Sequence, residues 1–266
     1  MNHKPDAITL NVDAGIARIV LDRPEKGNSI GIEFIDAFDA VTLECSERDD
    51  IRAVLITANG PRFCVGGDID DMVDTFKDGH LPSYIRKCNA LLQGGLARLQ
   101  RMRAPSIVAV QGNAAGGGVS MLSSCDIIVA ADHVRFVAAY PGIGYSCDMG
   151  GSTMLTRRLG MSRARRFYLL HEQLDARTAE QIGLVDMVVP KEELTATAEA
   201  IARRWASGPT AAYNEIRRLM LTAQDTPYET QMELETQSLA RLARTEDARE
   251  ALSAFLEKRV AKFQGR

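Results

Sequence analysis

The chain has 266 residues, of which 45% are apolar and 25% charged, and its formal net charge is −3. A chain of that length buries roughly 75% of its unfolded surface on folding, so neither disulfides nor a structural metal is required. The scattered basic residues give no reason to expect nucleic acid, and no apolar run approaches the ~20 residues of a membrane span. The opening residues 1–7 lack the apolar stretch of a secretory leader. Five cysteines (Cys45, Cys64, Cys88, Cys125, Cys147) form no Cys-x-x-Cys pair. They read as reduced thiols, with no metal site and a cytoplasmic compartment expected.

In chain order, residues 8–12 and 16–21 alternate around Asp13-Ala14-Gly15 and predict a β-hairpin. A helix is expected over 32–47, then a buried strand over 51–57. A polar segment precedes a helical pattern over 84–102, which Pro105 ends before a strand over 107–110. A short helix over 117–124, a strand over 127–130 and another at 136–137 follow. Beyond Gly151 helices dominate, with one strand near 184–189 and helical patterns over 192–205, 210–222, 228–243 and 248–262. The expected class is α/β, with a core over 1–200 and a helical lobe over 201–266.

Two glycine-rich stretches carry most of the chemistry: Phe63-Cys64-Val65-Gly66-Gly67-Asp68-Ile69 and Gly112-Asn113-Ala114-Ala115-Gly116-Gly117-Gly118-Val119-Ser120. Each lacks bulk where a strand runs into a helix, so a main-chain N–H can lie bare against a ligand. Two such donors on one oxygen would stabilise charge developing there.

These stretches, with Leu21-Asp22-Arg23-Pro24 and Asn28 before them and Gly183-Leu184-Val185-Asp186 and Glu246-Asp247-Ala248-Arg249-Glu250 after, resemble the enoyl-CoA hydratase/isomerase (crotonase) superfamily nearly end to end. The resemblance implies a β-β-α superhelix core, a C-terminal helical trimerisation lobe and a homotrimer or dimer of trimers. It implies an acyl-CoA thioester as substrate, with coenzyme A part of that substrate and no separate cofactor. By position, the oxyanion donors are the N–H groups of Gly67 and Gly117. Asp68, Ile69 and Asp70 fall along the pantetheine channel, Glu25, Lys26 and Gly27 along the CoA arm, and Lys262 or Phe263 at the adenine end.

Enoyl-CoA hydratases of this family carry glutamates where this chain has Ser120 and Tyr140. Hydration needs a base for water and an acid for the α-carbon, and neither residue is a base at neutral pH without an activating partner. Both are expected instead to shape the pocket or meet the substrate. Asp148 stands where the aspartate-type isomerases, the epoxyphenylacetyl-CoA isomerase-like subgroup, carry their acting carboxylate. The expected reaction is a double-bond shift by proton shuttle through Asp148, which could otherwise simply cap the helix after Gly150. The alternatives are hydration in keeping with the wider family, a dehalogenase-like nucleophilic role for Asp148, a hydrolase using Ser120 with one of His3, His80, His133 or His171, and a non-catalytic acyl-CoA binder.

Overall fold

The computed structural model describes residues 7–266; the opening segment 1–6, His3 included, lies outside them. The chain begins with β1 (Ile8–Asp13), β2 (Ile16–Leu21), α1 (Ile32–Glu47), β3 (Ala53–Ala58), β4 (Arg62–Cys64), α2 (Ile69–Lys77) and α3 (Leu81–Arg101). It continues through β5 (Ser106–Val110), β6 (Asn113–Ala115), α4 (Gly117–Ser123), β7 (Ile127–Ala131), β8 (Arg135–Val137), α5 (Gly151–Leu159) and α6 (Met161–Leu169). Then come β9 (Gln173–Asp175), α7 (Ala176–Gln181), β10 (Met187–Val189), α8 (Leu194–Ala206), α9 (Thr210–Thr222), α10 (Tyr228–Leu242) and α11 (Glu246–Glu257).

The main sheet has the order β1-β2-β3-β5-β7-β10 and is parallel except for the β1–β2 hairpin. That hairpin turns on Ala14 and Gly15, both left-handed at φ 49° and 76°, the geometry whose twist matches the strands. Strands β3, β5 and β7 sit mid-sheet, and their Val, Ile, Leu and Ala side chains are buried almost throughout, as a sheet covered on both faces demands. α1 and α3 pack against one another, and a Cβ at Gly95 would lie 2.7 Å from the Phe38 ring. α8 presents Leu194, Ala198, Ala202 and Ala206 at i, i+4 spacing and packs on β3, β5 and β7. Because α8 crosses residue 200, the sheet layer runs to Ala206, and the helices beyond it start with α9.

The second sheet positions the site. Its order is β4-β6-β8-β9, with β4, β6 and β8 mutually parallel and β9 antiparallel. Three neighbouring parallel strands deliver their C-terminal ends to one edge. These ends are Cys64, Ala115 and Val137, each followed at once by site residues. β4, β6 and β9 are three residues each, too short for a period to show in sequence.

Two helical expectations change. The polar segment after the first glycine stretch is α2, whose apolar Ile69, Val73 and Phe76 stay exposed. α11 ends at Glu257 rather than 262, because Lys258 turns left-handed at φ 55°.

Candidate active site

The two glycine stretches meet main chain to main chain. Gly66, at φ 90°, could not carry a side chain: a Cβ would sit 3.0 Å from the Ala115 oxygen and 3.3 Å from the Gly117 nitrogen. A Cβ on Gly118 would run into the Cys64 carbonyl. Ile30 then sets the orientation of the first loop. Its N–H donates to the Gly66 carbonyl at 2.8 Å and its own carbonyl accepts from Asp68 N at 3.2 Å. A trans peptide points its N–H opposite to its carbonyl, so the Gly67 N–H faces away from Ile30. In the second loop the Gly116 carbonyl accepts from Val119 and Ser120, which by the same geometry turns the Gly117 N–H out of the first turn of α4. Among the described residues neither amide has a main-chain partner.

Asn28 braces this wall from behind. Fully buried and left-handed at φ 54°, it donates to the carbonyls of Asn59, Arg62 and Phe63, each at 3.0 Å, and accepts from Arg23 N at 2.8 Å. Asn is among the few residues other than glycine that take the left-handed region readily, and here its long-range bonds to Asn59, Arg62 and Phe63 fix it there.

Gly66, Gly67, Gly116 and Gly117 line one cavity of about 500 Å³, together with Tyr140 and Asp148. Asp148 is the one charged side chain among its lining residues, and no Lys, Arg or His joins it. Apart from Asn89 and Ser146 the rest of the wall is mostly apolar or aromatic, with Ile30, Ile35, Met72, Leu92, Tyr84 and Tyr145 among it. Asp148 is half-buried and does not cap α5, whose N-terminus has no side-chain cap. Instead its Oδ1 accepts from the Tyr140 hydroxyl at 2.6 Å. The Tyr140 oxygen lies in turn 3.0 Å from Ser120 Oγ. Burial first, and then the charge of Asp148, push the Tyr140 phenol far above its ordinary range. A second buried hydroxyl, on Tyr168, has no hydrogen-bond partner among the described residues.

The other expected contacts fall as follows. Ile69 lines the cavity. Ser120 does not: it has no exposed surface, because α4 is buried along its whole length. Asp68 is also buried, and its carboxylate accepts from Ser29 Oγ at 2.8 Å, Lys26 Nζ at 3.3 Å and, as the cap of α2, Asp71 N. Burial pushes its carboxyl up, but these three donors outweigh it and hold the group below its ordinary range. Asp70 points outward from the first turn of α2 and is exposed. Lys26 is exposed and committed to Asp68, and Gly27 closes a short turn at φ 61°. Lys26, Gly27, Asp68, Asp70, Lys262 and Phe263 all lie outside the cavity lining. The Phe263 carbonyl accepts from Arg52.

Sequence reasoning missed Tyr84, Tyr145, Met149 and Tyr168, which enter through folding rather than through motif. Met149 alone left a trace, since it precedes Gly150-Gly151 and itself turns left-handed at φ 54°. Of the thiols, Cys45, Cys64 and Cys125 are each pushed up to about 12, chiefly by burial, which keeps them protonated and inert. Neither His80, His133 nor His171 bonds Ser120. A second concavity of about 570 Å³ lies among α3, α5 and α9. Two of its arginines, Arg157 and Arg218, are already paired with Asp225 and Glu215.

The sequence profile of the family described as Enoyl-CoA hydratase/isomerase matches residues 11–266. The chain is 35% identical to the 1,2-epoxyphenylacetyl-CoA isomerase of Escherichia coli K12, over 97% of this chain and 98% of the relative. Its fold superposes on a crystal structure from Mycobacterium abscessus assigned as an enoyl-CoA hydratase/isomerase, with a TM-score of 0.93 and 33% identity over 98% of this chain and 100% of the other. An enoyl-CoA hydratase from Mycobacterium smegmatis is similar too, with a TM-score of 0.90 and 27% identity over 97% and 98% of the two chains.

Proposed function

Since the chain belongs to the enoyl-CoA hydratase/isomerase family, whose members act on acyl-CoA thioesters, we propose that it moves a carbon–carbon double bond within an enoyl-CoA by proton shuttle through Asp148. The observation that carries this reading is the composition of the cavity: two main-chain amides without main-chain partners and a single carboxylate. One acid–base group is enough for isomerisation, whereas hydration by paired carboxylates needs two.

In this reaction the thioester oxygen lies against the N–H groups of Gly67 and Gly117. Asp148 takes a proton from the α-carbon of a 3-enoyl thioester, and the C–H electron pair moves into the carbonyl to give a dienolate. The same carboxyl then returns that proton to the γ-carbon, leaving a 2-enoyl thioester and the enzyme unchanged. The apolar wall excludes water, which strengthens the two N–H contacts. The likeness to an isomerase at 35% identity supports the same choice. Phe255 and Leu256 on α11 and Val260 just beyond it are at least 80% exposed, an apolar surface that a homotrimer or dimer of trimers would cover.

The test offers 2-enoyl and 3-enoyl-CoA thioesters to the enzyme in deuterated water and follows products by NMR and mass. Expected are the shifted double bond and no net addition of water, with deuterium at the γ-carbon only to the extent that the Asp148 carboxyl exchanges with solvent before it returns the proton. Asp148→Asn is expected to lose at least about 10³-fold in kcat while still binding the thioester. Accumulation of the 3-hydroxyacyl product, or an active Asp148→Asn variant, would defeat the proposal.

A further inference from the structure

We infer that Tyr140, itself oriented by Ser120, is a positioning residue that fixes Asp148 for proton transfer rather than a contact for substrate. The inference rests on the isomerase reading and concerns two positions that the paired-glutamate chemistry of the family leaves without a role here.

The hydrogen-bond directions follow from what each group can do. An ionised carboxylate only accepts, so the Tyr140 hydrogen is committed to Asp148 Oδ1 at 2.6 Å. The 3.0 Å contact between Ser120 Oγ and the Tyr140 oxygen must then be donated by Ser120. The result is a one-way chain, Ser120 to Tyr140 to Asp148, rooted in the buried helix α4. Ser120 cannot turn elsewhere easily: it is fully buried, and a Cβ on the facing Gly151 would collide with its Oγ and lie 2.7 Å from the Tyr168 hydroxyl. Gly151 is therefore the residue that leaves room for this polar pair behind the cavity wall.

The chain acts on Asp148 in two ways. It occupies Oδ1, while Oδ2 has no hydrogen-bond partner among the described residues and is the oxygen left for the acyl carbons. It also supplies a donor that favours the charged, proton-accepting form of the carboxylate. The titratable neighbours are few: Tyr140 from the turn after β8, Tyr168 from α6 and Cys147 from Asp148's own loop, with Tyr145 and, from α3, Tyr84 and Cys88 elsewhere on the wall. Tyr140 is kept protonated by burial and by Asp148, so it remains a donor across the working pH range and does not itself carry the proton.

The experiment measures kcat and KM against pH for isomerisation of a 3-enoyl-CoA by wild type, Tyr140→Phe and Ser120→Ala. In Tyr140→Phe we expect kcat to fall about 10- to 100-fold with KM within about twofold. Its acid limb, where activity is lost as the base becomes protonated, should move to higher pH, because the charged carboxylate has lost a donor. Ser120→Ala should shift the limb the same way by less, with kcat down about 3- to 10-fold, and it carries the test if Tyr140→Phe does not fold. A loss confined to KM, or an acid limb unmoved in both variants, overturns the inference. An inactive Asp148→Asn alongside an unmoved Tyr140→Phe limb would remove only the positioning role. An active Asp148→Asn would remove the isomerase reading beneath it.

Discussion

The two walls of the cavity do their work with different parts of the chain. The wall at Gly66–Gly67 and Gly116–Gly117 is main chain, held by strand pairing, by Ile30 and by Asn28. The wall at Asp148 is side chain, held by two hydroxyls in series. The main-chain wall leaves little freedom to the glycines beside its donors: a Cβ at Gly66 or Gly118 would press on main-chain atoms, whereas one at Gly67 would meet only the Met72 sulfur at 3.4 Å. Side-chain donors leave more: a hydroxyl or a carboxyl can stand at the same place, and on the proposed mechanism exchanging one for the other would change the reaction. On the function proposed above, a rigid main-chain grip beside an exchangeable acid–base wall would serve isomerases and hydratases alike, and both names occur among this chain's relatives.

The sharpest way to break that contrast is Gly66→Ala. The added methyl must enter a left-handed backbone at φ 90° and push against the Ala115 carbonyl and the Gly117 amide, so both donors shift together. Loss of oxyanion stabilisation is worth about 2.7–4 kcal/mol, and kcat should fall about 100- to 1,000-fold while the acid limb set by Asp148 stays in place. A variant that keeps full kcat would show that the two loops need not be glycine to grip an oxygen.

Asn28→Ala should act on the same wall from behind. It removes one side chain that serves three carbonyls and one amide in the buried interior. Leaving one such group unpaired costs about 1–3 kcal/mol, and less where a carbonyl keeps a second donor or water reaches it once the side chain is gone. We expect a loss of about 2–4 kcal/mol in urea unfolding and a smaller fall in kcat as the segment before β4 loosens. A stability change within about 0.5 kcal/mol would mean that the loop is held by strand pairing alone.

The main-chain wall was also the more legible one. Glycine at 66, 67, 116, 117 and 118 announces a close backbone approach, and its place between strand and helix patterns says where. The long strands, the hairpin and helices α1, α4, α9 and α10 could be read from period and turn chemistry in the same way. Of the second sheet only β8 could; β4, β6 and β9 carry no period at three residues each, yet this sheet sets the two loops side by side. Asp148 could be singled out only through the family resemblance, as a carboxylate in a place of note. Its partnership with Tyr140 across eight residues was invisible, since it depends on the turn after β8 folding back. Ser120 reads as a pocket residue through the resemblance, because it stands where the family's hydratases carry a glutamate; it is buried because all seven residues of that helix are.

Asp68 offers the finest distinction between the walls, because it is an acid in the main-chain wall that supports structure rather than chemistry. Its carboxylate holds Ser29, Lys26 and the first turn of α2 directly behind Gly67, and its depressed pKa means that folding favours the charged form. Such a group stabilises the fold fully above the ordinary aspartate value, near about 4, and the contribution is lost as pH falls through the lower folded value. Asp68→Asn should therefore cost about 1 kcal/mol at pH 7, and the gap to wild type should shrink as pH falls below the ordinary aspartate value and through the lower folded one. Because Asp68 lies outside the cavity lining, KM for the thioester should change by less than about twofold. Urea unfolding at pH 7 and at low pH, paired with KM at pH 7, checks both halves. A gap that persists unchanged in acid would assign the loss to packing, and a large rise in KM would put Asp68 back among the groups that touch substrate.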